Sequence, residues 1–190
     1  MLSAKIATTA KVSAKARAKA PADASPAYPP PAEARTQGVE QALAAYASHA
    51  QRAYAERAVF SGLLVKHVPA NDLDVVNWVH NRLPVEVLDR LLMEGVTKQE
   101  IGLVLPARTL AHRRANGEAL TIEESDRAVR LARVLAQATS VFGDKIRGLA
   151  WLRQSLKRFE GRRPLDMLVS DVGSRLVEEA LIQIDEGFFA

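Results

Sequence analysis

Cysteine is absent from this 190-residue sequence, which excludes disulfides and thiolate metal sites. The four histidines (His49, His67, His80 and His112) are scattered and lack a metal-ligand spacing such as His-x-x-x-His. No apolar run approaches the roughly 20 residues needed to span a bilayer. The sequence also lacks a nucleophile–base pair and a glycine-rich phosphate loop. These absences predict a soluble cytoplasmic protein that is not an enzyme, needs no cofactor and contacts no membrane.

Charge is distributed unevenly along the chain. Residues 1–36 carry six Lys/Arg against two Asp/Glu, and residues 37–96 carry five against seven. Residues 97–163 carry fourteen against seven, whereas residues 164–190 carry one against six. A basic middle favours a polyanion such as nucleic acid, and an acidic end favours a basic protein. The sequence therefore predicts two different partners.

The N-terminal region divides into a polar arm and a helix. Residues 1–36 are mainly Ala, Lys, Ser and Pro, so we predict a disordered basic arm that cannot offset the entropy of ordering. It is either a solvated tail or an arm that adds sequence-independent affinity for DNA. Residues 37–62 are predicted to form the N-terminal helix. Its apolar stripe, expected to pack against the core, comprises Leu43, Tyr46, Ala50 and Tyr54.

Residues 63–120 are predicted to form a domain of short helices. The first spans residues 71–82, with Asn71 as its N-cap. The second begins at Pro84 and ends at Gly95, a glycine suited to a left-handed C-cap. The predicted buried faces of these two helices are Leu73, Val76 and Val79, and Val85, Leu88, Leu91 and Leu92.

Two further helices complete a helix-turn-helix pattern. Thr97 and Glu100 form a capping box at the start of a short helix, because each can satisfy a free backbone N–H of the other. Pro106 begins the fourth helix of this domain, which is the third helix of the helix-turn-helix counted from Pro84, and Asn116-Gly117 ends it. Short helices joined by tight turns are the geometry of a helix-turn-helix. The predicted inward residues are Ile101, Val104 and Leu105 on the short helix, and Ala107, Leu110 and Ala111 on the third.

The third helix carries a polar face opposite its apolar stripe. Arg108, Thr109, His112 and Arg113 lie there, on the face that a recognition helix places in the major groove. Either arginine would read guanine edges or phosphates, and Thr109 would contact a phosphate or a thymine methyl. Lys98, on the preceding helix, would contact a phosphate. The alternative is a solvated, charged face on an ordinary three-helix bundle.

Residues 121–190 are predicted to form a compact helical protein-binding domain. Thr121 and Glu124 make a second capping box, and Gly143 ends the helix that they start. A second helix follows over about residues 144–156. The predicted inward residues of these helices are Ile122, Val129, Ala132, Leu135, Ala136, Thr139, Ile146, Leu149, Ala150 and Leu152, whereas Arg127, Arg130 and Arg133 are predicted on the outer face of the first.

The end of the chain is predicted to be a helical turn and a last helix. The turn begins at Pro164, and Ser170 or Asp171 caps the last helix. The chain finishes with two aromatic residues, Phe188 and Phe189, which either fold back onto the core or insert into a partner. The predicted apolar stripe of the last helix is Val172, Leu176, Val177, Ala180, Leu181 and Ile184.

Several motifs follow one another in order along residues 67–190. They are Arg108–Arg114, Glu123–Arg133, Val141–Asp144, Trp151-Leu152, Gly161–Leu168 and Gly173–Gly187. As a set, they resemble the Xre/MbcA/ParS antitoxins of bacterial operons whose toxins carry a RES domain. The resemblance implies an all-α protein, with an Xre-like helix-turn-helix domain followed by a small helical toxin-binding domain.

The resemblance also implies partners and contact residues. Such an antitoxin holds a NAD+-depleting RES-domain toxin inactive and binds its own operator DNA. It is usually a homodimer within a larger toxin–antitoxin complex. Gly161, Pro164, Leu165 and Leu168 match the turn that shapes the toxin-binding surface. Gly187, with Phe188 and Phe189 after it, matches the end that lies near the toxin's active-site cleft.

This sequence departs from the family pattern in one segment. Relatives commonly have a Pro-Asn dipeptide after the Trp-Leu and then a glycine pair, where this chain has Gln154–Glu160 and only Gly161. We therefore predict a regular helical extension there. The second hypothesis for function is a stand-alone helix-turn-helix regulator without a cognate toxin. A third hypothesis is an enzyme that uses the carboxylates Asp166, Asp171 and Glu178 as catalysts. Helix capping and solvation explain these three carboxylates better.

Overall fold

The structure is a computed structural model that describes residues 32–64 and 69–187. Helices are the only regular secondary structure in these two ranges, which confirms the all-α prediction. The chain divides into two units, residues 1–42 and residues 43–190. The helices are α1 (Ala32–Leu64), α2 (Asp72–His80), α3 (Val87–Met93), α4 (Lys98–Ile101), α5 (Ala107–Asn116), α6 (Ile122–Phe142), α7 (Lys145–Arg153), a 3-10 turn (Lys157–Phe159), α8 (Pro164–Met167) and α9 (Asp171–Asp185).

Helix α1 is longer than predicted at both ends. It begins at Ala32 rather than residue 37, because strong helix formers follow directly after the last proline of the arm. It continues through Gly62 to Leu64, because Leu63 and Leu64 are buried. Residues 1–31 of the predicted arm lie outside the described residues, whereas residues 32–36 are helical.

The predicted packing of Leu43, Ala50 and Tyr54 on α1 is wrong, and the side chain of Tyr46 lies outside the described residues. Leu43 and Tyr54 are 62% and 68% exposed, and Ala50 is exposed as well. The side of α1 that joins the core begins only near its end, where Phe60, Leu63 and Leu64 are buried. The sequence showed an apolar stripe but not what, if anything, covers it.

Helix α2 begins as predicted but buries a different face. The Asn71 side chain accepts a hydrogen bond from the Asp74 N–H at 3.2 Å, which confirms the N-cap. Val75 is buried instead of Leu73 and Val76, which are exposed. Trp78, one turn beyond Val75, stacks on Phe60 of α1 with ring centroids 6.2 Å apart, so this aromatic pair fixes the rotation of the helix.

The helix-turn-helix segment has most of the predicted turns. Helix α3 begins at Val87 rather than Pro84, because residues 84–86 form tighter turns. Gly95 has φ +96°, as a left-handed end requires, and a Cβ there would lie 2.9 Å from Leu149 Cδ1. The Thr97–Glu100 capping box is confirmed, with Thr97 N–H donating to Glu100 Oε2 at 2.8 Å.

Helix α6 lies at the centre of the second unit. Helices α2, α3, α7 and α9 all contact it, and its buried residues occupy several sides. The Thr121–Glu124 capping box is confirmed, and Gly143 ends the helix with φ +65°. Ile122 is exposed, contrary to prediction. The residues predicted as two domains, 63–120 and 121–190, contribute to one shared hydrophobic core.

The segment after α7 is not the helical extension that the sequence predicted. Helix α7 ends at Arg153, and a 3-10 turn leads to Glu160 and Gly161, both with positive φ. Burial of Phe159 draws the chain inward, and the Gly161 N–H then donates to Leu156 O at 3.0 Å. Ile146, predicted to be inward on α7, is exposed.

Helix α9 is capped by Ser170, whose hydroxyl accepts from the Gly173 N–H at 3.1 Å. A Cβ on Gly173 would lie 2.0 Å from Met167 O, so this glycine lets α9 approach α8 closely. That approach turns Gly173 inward and leaves Val172 and Leu176 exposed, against prediction. The predicted burial of Val177, Ala180 and Leu181 is confirmed.

Arg153 and Glu100 join α7 to the helix-turn-helix segment, and Arg153→Met tests this link. Arg153 Nε donates to Glu100 Oε1 at 2.7 Å, and its Nη2 donates to Gly95 O at 2.8 Å. We expect the substitution to lower the free energy of unfolding by about 1–2 kcal/mol, because Glu100 is buried while Arg153 is about a third exposed. Urea unfolding measures it.

The stabilisation by the Arg153–Glu100 ion pair should depend on pH. The hydrogen bond from Arg153 lowers the pKa of Glu100 below its ordinary value. Its stabilisation is therefore complete above the pKa of the unfolded state and is lost as pH falls through the lowered folded value. The difference between wild type and Arg153→Met should shrink in acid. Arg147→Met, on the exposed side of α7, serves as the control; an equal loss of stability in both variants would contradict the link.

Candidate functional site

Helix α5 presents a small polar surface. Arg108 is exposed and makes no hydrogen bond or ion pair within the part of the chain that the structure describes. His112, one turn later, is also exposed and lies 3.0 Å from the Asn116 amide nitrogen. Thr109, which lies between these two residues in the sequence, is half-buried. These three residues share one helical face, as the sequence predicted, and Arg108 is available to an external anion.

Arg113, unlike Arg108, is not available to an external anion. Its side chain is only 16% exposed, and its Nε lies 2.8 Å from Oε2 of Glu124, which is itself nearly buried. Its Nη1 also donates to Ala119 O at 3.2 Å. Arg113 therefore fastens the end of α5 to the capping box of α6. Its guanidinium already has partners within the fold, and its contact with DNA stays a prediction.

Other arginines of the basic middle are also engaged inside the protein. Arg127 Nη1 donates to Val104 O at 2.8 Å, and Arg130 pairs with Asp126 one turn earlier at 3.0 Å. Arg114 pairs with Asp89 of α3. The positive surplus of residues 97–163 is thus partly structural. Lys98, at the first turn of α4, is exposed and makes no ion pair among the described residues.

An apolar cavity of about 490 Å³ separates α5 from α3 and α4. Leu92, Ile101, Leu105 and Leu110 contribute to its lining. Helix α5 has no buried residue, so the predicted inward stripe is wrong for Ala107 and Ala111, which are exposed. Both alanines line the cavity, and Leu110 is partly buried against the hydrophobic core.

The turn over residues 161–168 lies partly beneath the protein surface. Pro164, Leu165 and Leu168 are buried, whereas Gly161 is exposed with φ +81°. The Leu156 N–H donates to Arg162 O at 3.2 Å and closes the turn. Of the residues matched to this turn, three therefore lie beneath the surface. Phe188 and Phe189 lie outside the described residues.

Above this turn lies an exposed apolar strip, and the sequence assigned two of its three residues, Val172 and Leu176, to the core. It consists of Val169, Val172 and Leu176, all exposed, with Val172 69% exposed. Neighbouring Asp171 and Arg175 pair with each other at 2.7 Å. The strip lies within residues 164–190, which carry one basic residue against six acidic ones. Exposed apolar side chains at helical spacing make this strip a candidate protein-binding surface.

Glu178, on another side of α9, is half-buried, and we expect Glu178→Gln to stabilise the protein. Burial raises the pKa of Glu178 above its ordinary value, and the nearby Asp171 charge adds to the effect. A raised folded pKa means that the ionised carboxylate opposes folding at neutral pH, and stability recovers as pH falls through that value. Thermal unfolding should show a higher Tm at neutral pH, with the difference vanishing in acid.

The exposed neighbour Glu179 provides the control for that measurement. Glu179→Gln changes the same charge on the same helix without removing a half-buried carboxylate. It should leave Tm nearly unchanged at both pH values. Equal Tm increases in the two variants would mean that net charge, and not the burial of Glu178, sets the effect.

Neither a membrane helix nor a metal cluster is found in the described ranges. No helix there is long and apolar enough to cross a bilayer. No group of three His, Asp or Glu side chains in the same residues is arranged to hold a metal ion.

Comparison with known proteins gives the surfaces of α5 and α9 a context. The family model of the antitoxin Xre/MbcA/ParS C-terminal toxin-binding domain matches residues 137–187. Antitoxin Xre of Pseudomonas putida is 36% identical over 120 residues, which cover 63% of this chain and 76% of that protein. Antitoxin Xre of Yersinia enterocolitica is 31% identical over 120 residues, covering 61% and 81%. The Prs ADP-ribosylating antitoxin of a Sphingobium species is 32% identical over 133 residues, covering 64% and 84%.

The matched domain and these relatives define an antitoxin of a toxin–antitoxin system. Its C-terminal toxin-binding domain implies a toxin as partner. The chain belongs to the Xre/MbcA/ParS antitoxin family. Sequence reasoning identified the family but missed the apolar strip as a surface, because a stripe of valine and leucine on a helix reads first as core.

Proposed function

We propose that this antitoxin binds and sterically inhibits a NAD+-degrading RES-domain toxin in the cytoplasm. The observation that carries the proposal is the exposed strip of Val169, Val172 and Leu176, which lies within the residues matched by the toxin-binding domain. The name of the Sphingobium relative connects that protein with ADP-ribosylation, a reaction whose donor is NAD+. This supports a toxin that consumes NAD+.

Inhibition in this proposal needs no catalysis by the antitoxin. The strip would anchor the toxin, and the acidic surface of α9 would face basic groups around its nucleotide cleft. The chain end at Gly187, Phe188 and Phe189 would then cover the cleft. Beneath the strip, the turn of Gly161, with Pro164, Leu165 and Leu168, would hold α9 in position.

We also propose that α5 represses the antitoxin's own operon. Arg108 would contact a guanine edge or a phosphate, with Thr109 and His112 beside it on the same face. Lys98 would contact a phosphate from the first turn of α4. A homodimer would present two such helices to two half-sites of operator DNA. Arg113 takes a structural part in this proposal instead of reading DNA.

The experiment uses a RES-domain protein encoded beside this antitoxin. Cells expressing the RES-domain protein alone should lose NAD+ and stop growing, and co-expression of the antitoxin should restore both. NAD+ is measured by enzymatic cycling in cell extracts. Unchanged NAD+ loss in the presence of the antitoxin would contradict inhibition. Operator binding without any rescue would favour the stand-alone regulator.

A further inference from the structure

Four exposed residues of α1 have the spacing of a helix–helix seam, in which Ala47 takes the place that Tyr46 has in the stripe predicted from the sequence. Leu43, Ala47, Ala50 and Tyr54 are separated by four, three and four residues, which is the a/d spacing of a heptad repeat. All of them are exposed. No described residue covers Leu43 or Tyr54, which are 62% and 68% exposed. We call these four residues the α1 seam.

The α1 seam is complementary to itself in one orientation. We propose that α1 pairs antiparallel with α1 of a second copy of this chain. In that register Leu43 faces Tyr54 of the second copy, and Ala47 faces Ala50 of the second copy. Each layer then joins an a position to a d position, and a large residue lies at each end. The small alanines in the middle allow the two helices to approach closely.

Charge selects the same orientation and register. The next seam positions outward are Glu40 and Arg57, and both are exposed. Antiparallel pairing places Glu40 of each copy opposite Arg57 of the other, giving two interchain ion pairs. A parallel pair would instead place like charges together at both positions, which destabilises the pair.

The relatives cover 61–64% of this chain, so their similarity does not account for every residue of it. Pairing through α1 is inferred from the spacing, exposure and charge of residues on this helix. It rests on the proposed function only in that the antitoxin is proposed to be a homodimer. It adds the surface and the orientation by which two copies associate.

The absence of cysteine allows a direct test on the full chain. Leu43→Cys and Tyr54→Cys variants, one carrying a size tag, are mixed, unfolded, refolded together and oxidised. The antiparallel register brings these two cysteines into one layer, within the Cα separation that a disulfide needs. The expected result is a mixed disulfide dimer. Each variant alone should stay uncrosslinked, because identical positions lie about 16 Å apart along the helix axis.

A second pair of variants measures the strength of the contact. Ala50→Glu puts a charge in the middle of the α1 seam and should weaken dimerisation about a hundredfold or more. Ala55→Glu changes the same residue type to the same charge on an exposed position outside the seam, and should leave the dimer intact. Sedimentation equilibrium gives the dissociation constants.

The outcomes separate this inference from the homodimer itself. A dimer that forms no mixed disulfide, or that Ala50→Glu leaves unchanged, overturns the α1 contact and leaves the homodimer proposal standing. A disulfide in Leu43→Cys alone shows parallel pairing and overturns the antiparallel register. A wild-type protein that stays monomeric overturns both. Loss of toxin inhibition has no bearing on these results.

Discussion

Replacing Val172 and Leu176 together by lysine is expected to weaken toxin binding about a hundredfold or more, with the fold retained. Both side chains are exposed on α9, at 69% and 42%, so neither contributes much to the antitoxin's own core. The lysines remove apolar area from the centre of the proposed interface. They also place two cations on a surface that carries an excess of carboxylates.

Helix α2 offers a matched control for this experiment. Leu73 and Val76 are 65% and 46% exposed, nearly the same as the α9 pair, and they lie outside the residues matched by the toxin-binding domain. Leu73→Lys with Val76→Lys makes the same charge change on another helix. Calorimetric titration with purified toxin should show wild-type affinity for this control. Equal losses in both double variants, or none in the α9 variant, would show that the strip is not the toxin contact.

Arg108→Ala and Arg113→Ala should have opposite consequences. Loss of Arg108 is expected to weaken operator binding about 10- to 100-fold, because a base or phosphate contact is removed while nothing within the described fold depends on it. Loss of Arg113 is expected to lower the free energy of unfolding by about 3 kcal/mol, because the nearly buried Glu124 loses its partner. Gel shifts and urea unfolding on both variants measure the two effects.

The contrast between these arginines is what makes the measurement decisive. Arg113→Lys should recover little stability, since a lysine cannot reproduce contacts to both Glu124 and Ala119 O. A stable Arg113→Ala protein that has lost operator binding would restore the assignment made from sequence. An Arg108→Ala protein with unchanged operator affinity would remove α5 as the recognition helix.

Turns and helix ends were the part of the fold that the sequence predicted best. The capping boxes at Thr97 and Thr121, the Asn71 cap and the glycine ends at Gly95 and Gly143 all have the predicted geometry. These features depend on residues within a few positions of each other, so a short stretch of sequence is enough to predict them. The start of α3 was less predictable, because Pro84 fits a turn as well as a first helical residue.

Burial was harder to predict, and the errors have a common cause. An apolar stripe indicates that a helix has a face that avoids water, but not whether the same chain or another one covers it. Leu43 and Tyr54 on α1, like Val172 and Leu176 on α9, were assigned to the core and are exposed. On α9 the reason is local, since Gly173 brings the backbone against Met167 O and turns the helix.

Long-range ion pairs were also beyond the sequence. Arg113 and Glu124 are 11 positions apart and meet only because α5 and α6 fold against each other. Arg153 and Glu100 are 53 positions apart. Because several arginines of residues 97–163 are paired within the fold, the net charge of that segment overestimated the positive charge available to DNA. On α4 and α5, the exposed cations that form no ion pair within the described fold are Lys98 and Arg108.

The most direct test of the account is a titration of purified toxin with the purified full-length antitoxin while NAD+ consumption is followed. The account predicts that NAD+ consumption falls linearly to zero at a fixed molar ratio. The α9 double-lysine variant should require a large excess, and the Arg108→Ala variant should inhibit as well as wild type. Undiminished NAD+ consumption at saturating wild-type antitoxin would contradict the central claim.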